Sequence, residues 1–272
     1  MKKRIMSVVC ELLMLLVTFL FFSPLLIMVF GAFKDSAGAA MFDFSIPTTW
    51  HFENFSFVIE NGNILRSFKN SIVLTGFSSA AGVFVAAMAA FILARRKTKG
   101  SERLYNYFLV GMVAPLQIIT TYVVLTALHL KGTFVGLIFV YIAINLPFNI
   151  LMFTGFVKGI PVELDESAFL DGANLYRGFF RIIVPLLKPI FATSFIIFVM
   201  SVWNDFQLPL YLLNTPEKWT LPLTVYNFFG MYYSSWNYVF ADMIITAIPI
   251  LIVYLFAQKY IVEGMTAGAI KG

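Results

Sequence analysis

The segment Pro161-Val-Glu-Leu-Asp-Glu166-Ser-Ala168-Phe-Leu-Asp171-Gly172-Ala-Asn174, which runs on to Ile182-Ile-Val-Pro185, is one long charged interruption in a mostly apolar chain. The chemistry open to it is recognition: a structured, charged loop of this size suits the transfer of force or a signal to a soluble partner. Pro161 fits the first position of a helix, where a missing N–H costs nothing. Glu163, Asp165 and Glu166 follow in the first turns, where acids complement the helix dipole. Val162, Leu164, Ala168, Phe169 and Leu170 leave one apolar face. Gly172 suits a helix end that needs a positive φ, and Asn174 suits the cap of a second helix. That helix is expected over about Leu175 to Val184, with Arg177 and Arg181 four apart and Pro185 as its stop. Read physically, the pair is either a docking helix for a partner or an amphipathic helix lying on a membrane surface.

A second set of polar residues falls inside apolar runs. Asn145 and Asn149 flank Pro147, and Trp203, Asn204, Asp205 and Gln207 lie together further on. Amides and a carboxylate can exchange hydrogen bonds with a hydroxyl-rich solute, and Trp203 could stack on a sugar face. Hydrogen bonding between helices explains the same residues, and Asp205 could equally be one half of a structural pair. Both readings stay open, with the structural one favoured. Pro147 and Pro209 free backbone carbonyls, which is tolerated only beside protein or water. No Gly-x-x-x-x-Gly-Lys-Ser/Thr phosphate loop, His-Glu-x-x-His, paired cysteine or Gly-x-Ser-x-Gly occurs, so no catalytic site and no metal site is expected. Cys10 is alone in an apolar run, and His51 and His129 read as loop or interfacial residues.

The elements that carry these residues follow from composition. Of 272 residues, 60% are hydrophobic and only 12% charged, against about 25% charged in soluble domains. A net charge of +5 raises nucleic acid as a partner, but the basic residues sit in short loops between apolar runs, which membrane topology explains better. About 20 apolar residues cross a bilayer as a helix, and six spans are expected: about Ile5 to Phe33, Asn70 to Ala94, Leu104 to Leu128, Thr133 to Phe156, Pro189 to Leu213, and Phe240 to Ile261. The second is rich in small residues (Ser78, Ser79, Ala80, Ala81, Gly82), and Gly132-x-x-x-Gly136 opens the fourth; both permit close helix contact. The first is too long for the apolar core of a signal peptide and reads as retained. Fourteen Lys and Arg fall on one side and five on the other. Positive residues favour the cytoplasm, so both termini and the loop at about 157–188 are expected there, with the loops at 34–69 and 214–239 outside. The chain reads as one membrane domain, 1–272, with no repeat or linker.

At this point the residues resemble a known family. The spacing Glu166-Ser-Ala168, three residues, Gly172, nine residues, Ile182-x-Val-Pro185 is similar to the EAA loop of ABC importer permeases, whose pattern is Glu-Ala-Ala, three residues, Gly, nine residues, Ile-x-Leu-Pro. It departs only at Ser167 and Val184. Pro115-Leu-Gln117, Trp203-Asn204-Asp205-Phe206 with Pro209-Leu210, and the terminal Gln258 to Gly272 resemble the carbohydrate-uptake permeases of the maltose type, specifically the smaller, six-span, MalG-like subunit. The likeness runs from about residue 66 to the end.

The resemblance implies a type I ABC importer permease fold in a prokaryotic plasma membrane. It implies a second, larger permease subunit, two cytoplasmic ATPase subunits carrying ATP and Mg, an external solute-binding protein, and a carbohydrate substrate. No cofactor is implied on this chain, and no nucleic acid. The helix around Glu166, Ser167, Ala168, Phe169, Asp171 and Gly172 would dock on the ATPase: Glu166 as a polar contact, Ala168 and Phe169 as the apolar face, Gly172 as the turn. Ile182 and Pro185 would belong to a lever passing motion to the fifth span. Asn145, Asn149, Trp203, Asn204 and Asp205 are the candidates for the pathway. The rivals are an importer permease for a polyamine, a phosphate ester or a peptide, an ion-driven secondary transporter, and a membrane-embedded sensor or scaffold.

Overall fold

The computed structural model describes residues 2–230 and 234–269, with side chains at 6–230 and 234–259. The described residues form helices and turns, with one isolated bridge, Phe229 to Ser234, and no strand. In chain order the helices are α1 (Lys2–Ala32), α2 (Ser36–Ala39), α3 (Glu53–Asn61), α4 (Ile64–Arg95), α5 (Lys99–Val113), α6 (Ile118–Ala127), α7 (Phe134–Lys158), α8 (Glu163–Leu170), α9 (Leu175–Gly178), a π segment (Phe179–Ile183), α10 (Val184–Leu186), α11 (Lys188–Trp203), α12 (Gln207–Leu212), two 3-10 turns (Pro216–Lys218 and Leu221–Asn227), and α13 (Trp236–Ala269).

Four of these, at Met6–Ala32, Ile64–Arg95, Phe134–Lys158 and Trp236–Lys259, are long and apolar enough to cross a bilayer, with mean hydropathy from 2.1 to 2.7. A fifth crossing needs the pair Leu175–Leu186 and Lys188–Trp203, which is bent by 77°. The expected third span is not one helix. It breaks at Ala114, which is held extended (φ −68°, ψ 121°) by the proline that follows it. The expected fifth span also breaks, at Asn204 to Phe206, and restarts as the six-residue α12. The terminal residues from Tyr260 to Gly272 that carry part of the family likeness lie outside the described side chains.

The chain divides into two compact units. The first comprises residues 1–67 and 221–249. Its polar centre is Asn54, 4% exposed, whose Nδ2 donates to the carbonyls of Ala32 and Lys34, each at 2.9 Å, and whose Oδ1 accepts from Asn237 Nδ2 at 3.0 Å. Lys34 is buried and paired with Asp43, and its ammonium also donates to Ser45 Oγ at 2.8 Å. Hydrogen bonds from the Lys34 ammonium first, and then from the Ser45 hydroxyl, hold the Asp43 carboxyl down at about 2. Phe42, at φ +51°, sets its ring edge-on to Trp236 with 4.7 Å between centroids.

The second unit comprises residues 68–220 and 250–272. From Ser71 to Phe91, α4 buries positions at steps of three and four, the stripe of a helix with one covered face. Ser78 and Ser79 are fully buried there, and a Cβ at Gly82 would strike the ring of Phe198 on α11. The small residues therefore do permit the close contact expected of them. The Gly132 to Gly136 pair does not: Gly132 precedes α7 at φ +67°, and a Cβ on Gly136 would strike the carbonyl oxygen of Leu130. Those glycines serve a tight turn against the chain's own backbone.

Candidate functional site

The charged loop folds as two short helices around a glycine turn. Helix α8 begins at Glu163 with Val162 at its cap, so Pro161 precedes the cap instead of occupying the first helical position. Glu163, Asp165 and Glu166 fill the first turn, facing the partial positive charge of the helix start. At the other end the Ala173 amide donates to the Ala168 carbonyl at 2.9 Å and the Gly172 amide to the Phe169 carbonyl at 3.0 Å. With Gly172 at φ +81°, this is a Schellman closure. Nothing lies within 4 Å of a Cβ built on Gly172, so backbone conformation alone requires glycine. Asn174 Oδ1 then accepts from the Arg177 amide at 2.9 Å and starts α9.

Along α8 the residues divide by face. Ala168 is buried against the chain itself, while Phe169 and Leu170 are 75% and 85% exposed. Glu166, Ser167, Asp171 and Gly172 are exposed as well. Ala168 therefore anchors α8 to its own unit, and the outward apolar surface is Phe169 with Leu170.

The second helix of the loop departs from the regular one expected. Leu175–Gly178 is α-helical, Phe179–Ile183 is a π segment, and the helix resumes at Val184 and ends at Leu186, one residue past Pro185. Pro185 lacks an N–H and its ring crowds the carbonyl four residues back. A widened turn just before it accommodates both. Phe179 and Ile183 are buried and Ile182 half-buried, while Pro185 is exposed. The rings of Phe179 and Phe180 meet Phe91 and Phe84 of α4, with centroids 5.2 and 5.9 Å apart.

The pathway candidates do not all come together. Asn145, Asn204 and Asp205 line a cavity of about 360 Å³ with Tyr141, Ser201 and Gln207, a volume within the range of small-ligand sites. The cavity opens where both expected spans break. Asp205 is engaged at both oxygens: Oδ2 accepts from Tyr141 Oη at 2.8 Å, and Oδ1 accepts from the amide of Gln207 at 2.9 Å at the start of α12. The Nδ2 of Asn145 donates to the Tyr141 carbonyl at 2.9 Å. Trp203 is 8% exposed and packs edge-on against Phe68 at 5.9 Å, so it has no face to offer a sugar. Asn149 is buried, and its Nδ2 donates to the Asn145 carbonyl at 2.8 Å. Neither lines the cavity. Gln207, which the sequence offered among the polar residues but not among the pathway candidates, also lines it, as do Ser201 and Tyr141.

Helices long and apolar enough to cross a bilayer, an exposed short helix α8 and a cavity with polar groups at two helix breaks suit a membrane-embedded transport subunit. Residues 81–267 match the family described as binding-protein-dependent transport system inner membrane component, and the chain belongs to that family. It is a multi-pass membrane protein. Among its relatives are the multiple sugar-binding transport system permease protein MsmG of Streptococcus mutans, 35% identical over 254 residues and 91% of each chain, and the melibiose/raffinose/stachyose import permease protein MelC of Bacillus subtilis, 33% identical over 229 residues and 83% of each chain. The fold is that of a chain in the crystal structure of a bacterial ABC transporter involved in import of the acidic polysaccharide alginate, with a TM-score of 0.80 over 95% of this chain and 97% of that one at 22% identity.

Proposed function

We propose that this chain is the permease subunit of an ATP-driven importer of carbohydrate, crossing the membrane six times with both termini in the cytoplasm. In this reading α5 with α6, and α11 with α12, are single crossings interrupted at the cavity. The chain pairs with a second, larger permease subunit. A cleft on each of two ATPase subunits, which carry ATP and Mg, receives the α8 of one permease, and a solute-binding protein delivers sugar from outside. The observation that carries the reading is the exposed end of α8: Phe169 and Leu170 are uncovered by the rest of the chain beside exposed Glu166 and Asp171, on a helix closed by a turn that favours glycine. An apolar patch rimmed by acids is what a docking contact looks like. Motion of α8 would pass along α9, the π segment and α10 to α11, and so to the wall of the cavity.

The cavity supports an uncharged sugar. Its lining offers Asn145, Ser201, Asn204 and Gln207, groups that both donate to and accept from hydroxyls. Among the described residues its one charged lining group is the carboxylate of Asp205, and an acidic sugar would meet that charge with no described cation in the lining.

The test is purification of the tagged chain from membranes in mild detergent, identification of what comes with it, and assay of ATP hydrolysis. An ATPase with a phosphate loop plus a second permease is the expected result, with hydrolysis stimulated by the binding protein loaded with neutral oligosaccharides and not with uronate oligomers. A chain that purifies alone would overturn the importer reading in favour of a secondary transporter or a sensor. Stimulation by uronates alone would overturn the substrate class.

A further inference from the structure

Arg95 is the last residue of α4, and its guanidinium joins three elements. Nη1 donates to the carbonyls of Val157 at 3.3 Å and Ile160 at 3.1 Å, at the end of α7 and just beyond it. Nε makes an ion pair with Asp165 in the first turn of α8. The two side chains are only 15% and 25% exposed; the Nε–Oδ2 pair is a charge contact without hydrogen-bond geometry, and Nη2 is buried with no hydrogen bond among the described residues. Both carbonyls lie at the C-terminal end of α7 or just past it, where a cation is favoured; that of Val157 also accepts from the Ile160 amide at 3.0 Å. Arginine suits the site because it keeps its charge and spreads five donors in a rigid fork. A lysine ammonium, a single point, would not span a carboxylate and two carbonyls.

A buried ion pair adds little net stability compared with apolar side chains of the same size. What it does supply is registration of the elements it joins. Here it registers α8 against α4 and α7. The ring contacts from Phe91 to Phe179 and from Phe84 to Phe180 hold the same α4 against the π segment, so α4 grips the loop at two places.

We propose that Arg95 is a positioning residue that locks α8 to α4 and α7, so that displacement of α8 carries these two helices with it as well as α11. This inference rests on α8 being the ATPase-docking helix. The test uses the purified full transporter carrying Cys10→Ser, with spin labels on Val85→Cys of α4 and Glu163→Cys of α8. Pulsed electron paramagnetic resonance measures their separation without nucleotide and after trapping with Mg-ATP and vanadate. The expected separation agrees between the two states within about 2 Å, the scale of a packed helix shift. With Asp165→Asn the two states separate by more than that, although the ATPase still co-purifies, and Asp165→Glu restores the locked behaviour. Arg95→Lys follows Asp165→Asn. A merely structural role would lower the yield of complex without making the distance depend on nucleotide. A change of several ångströms in the parent, or an Asp165→Asn transporter identical to it, overturns the lock while leaving α8 as the docking helix. A parent chain that retains no ATPase removes the docking reading and the lock together.

Discussion

Gly172 occupies a left-handed conformation at φ +81° with open space around it. A β-carbon there costs about 1–2 kcal/mol in backbone energy and meets no steric clash. Gly172→Asp is therefore expected to leave the chain folded and inserted while loosening the turn that aims α8, so that uptake is lost at normal expression. Gly172→Asn, which tolerates the left-handed region better, keeps more activity than either Gly172→Ala or Gly172→Asp. An uptake assay beside a membrane-insertion assay checks the order, and normal uptake by Gly172→Asp would contradict the role of the turn. At the other surface, Asp43 is held down at about 2 from an ordinary 3.8. The folded-state value is the lower one, so the stability from the Lys34 contact is fully present above the unfolded value. It is lost as pH falls through about 4 towards 2. Thermal unfolding of the parent and of Asp43→Asn should converge over that window and stay separated above it.

At the scale of elements, α4 and α11 meet where Gly82 lets the ring of Phe198 approach the backbone. Alanine in place of a mid-helix glycine ordinarily gains about 0.5–1 kcal/mol. Gly76→Ala, with nothing within 4 Å of its Cβ, should show that gain or none. Gly82→Ala should instead destabilise, by about 1–3 kcal/mol as overpacked cores do, and thermal unfolding in detergent separates the two. The sequence signalled a close helix contact here through its run of small residues, of which Ser78, Ser79 and Gly82 are buried and Ala80 and Ala81 are exposed. It also made the Gly172 turn and the Asn174 cap readable, since both are set by the local chain. Three features were out of its reach. The interruptions at Ala114 and at Asn204 to Phe206 are each only a few residues long inside runs whose average is apolar, so a window of about 20 residues reads through them, even where Asn204 and Asp205 are polar. The inward turn of Ala168 depends on what α8 packs against. Arg95 looked like one more basic residue at a helix end, and its two carbonyls and its carboxylate come from 62 to 70 positions away in the chain.

At the scale of the whole molecule, the proposed orientation rests on the distribution of charge. If fourteen Lys and Arg lie inside and five outside, as the proposed topology has it, single cysteines placed at Glu60 and Glu217 in a Cys10→Ser chain should react with an impermeant maleimide on intact cells. Cysteines at Lys99 and Glu163 should react only after the membrane is opened. The opposite pattern would invert the topology and put α8 outside, which no ATPase could reach. The angle of 77° between the segment ending at Leu186 and the helix starting at Lys188 has a mechanical meaning of its own. Two rods joined nearly at right angles make a crank. In the proposed mechanism a push along the first would reach the second as a sideways sweep instead of a thrust along its length, and a sweep of α11 would part or close the wall that carries Ser201 and Asn204 without sliding any helix through the bilayer.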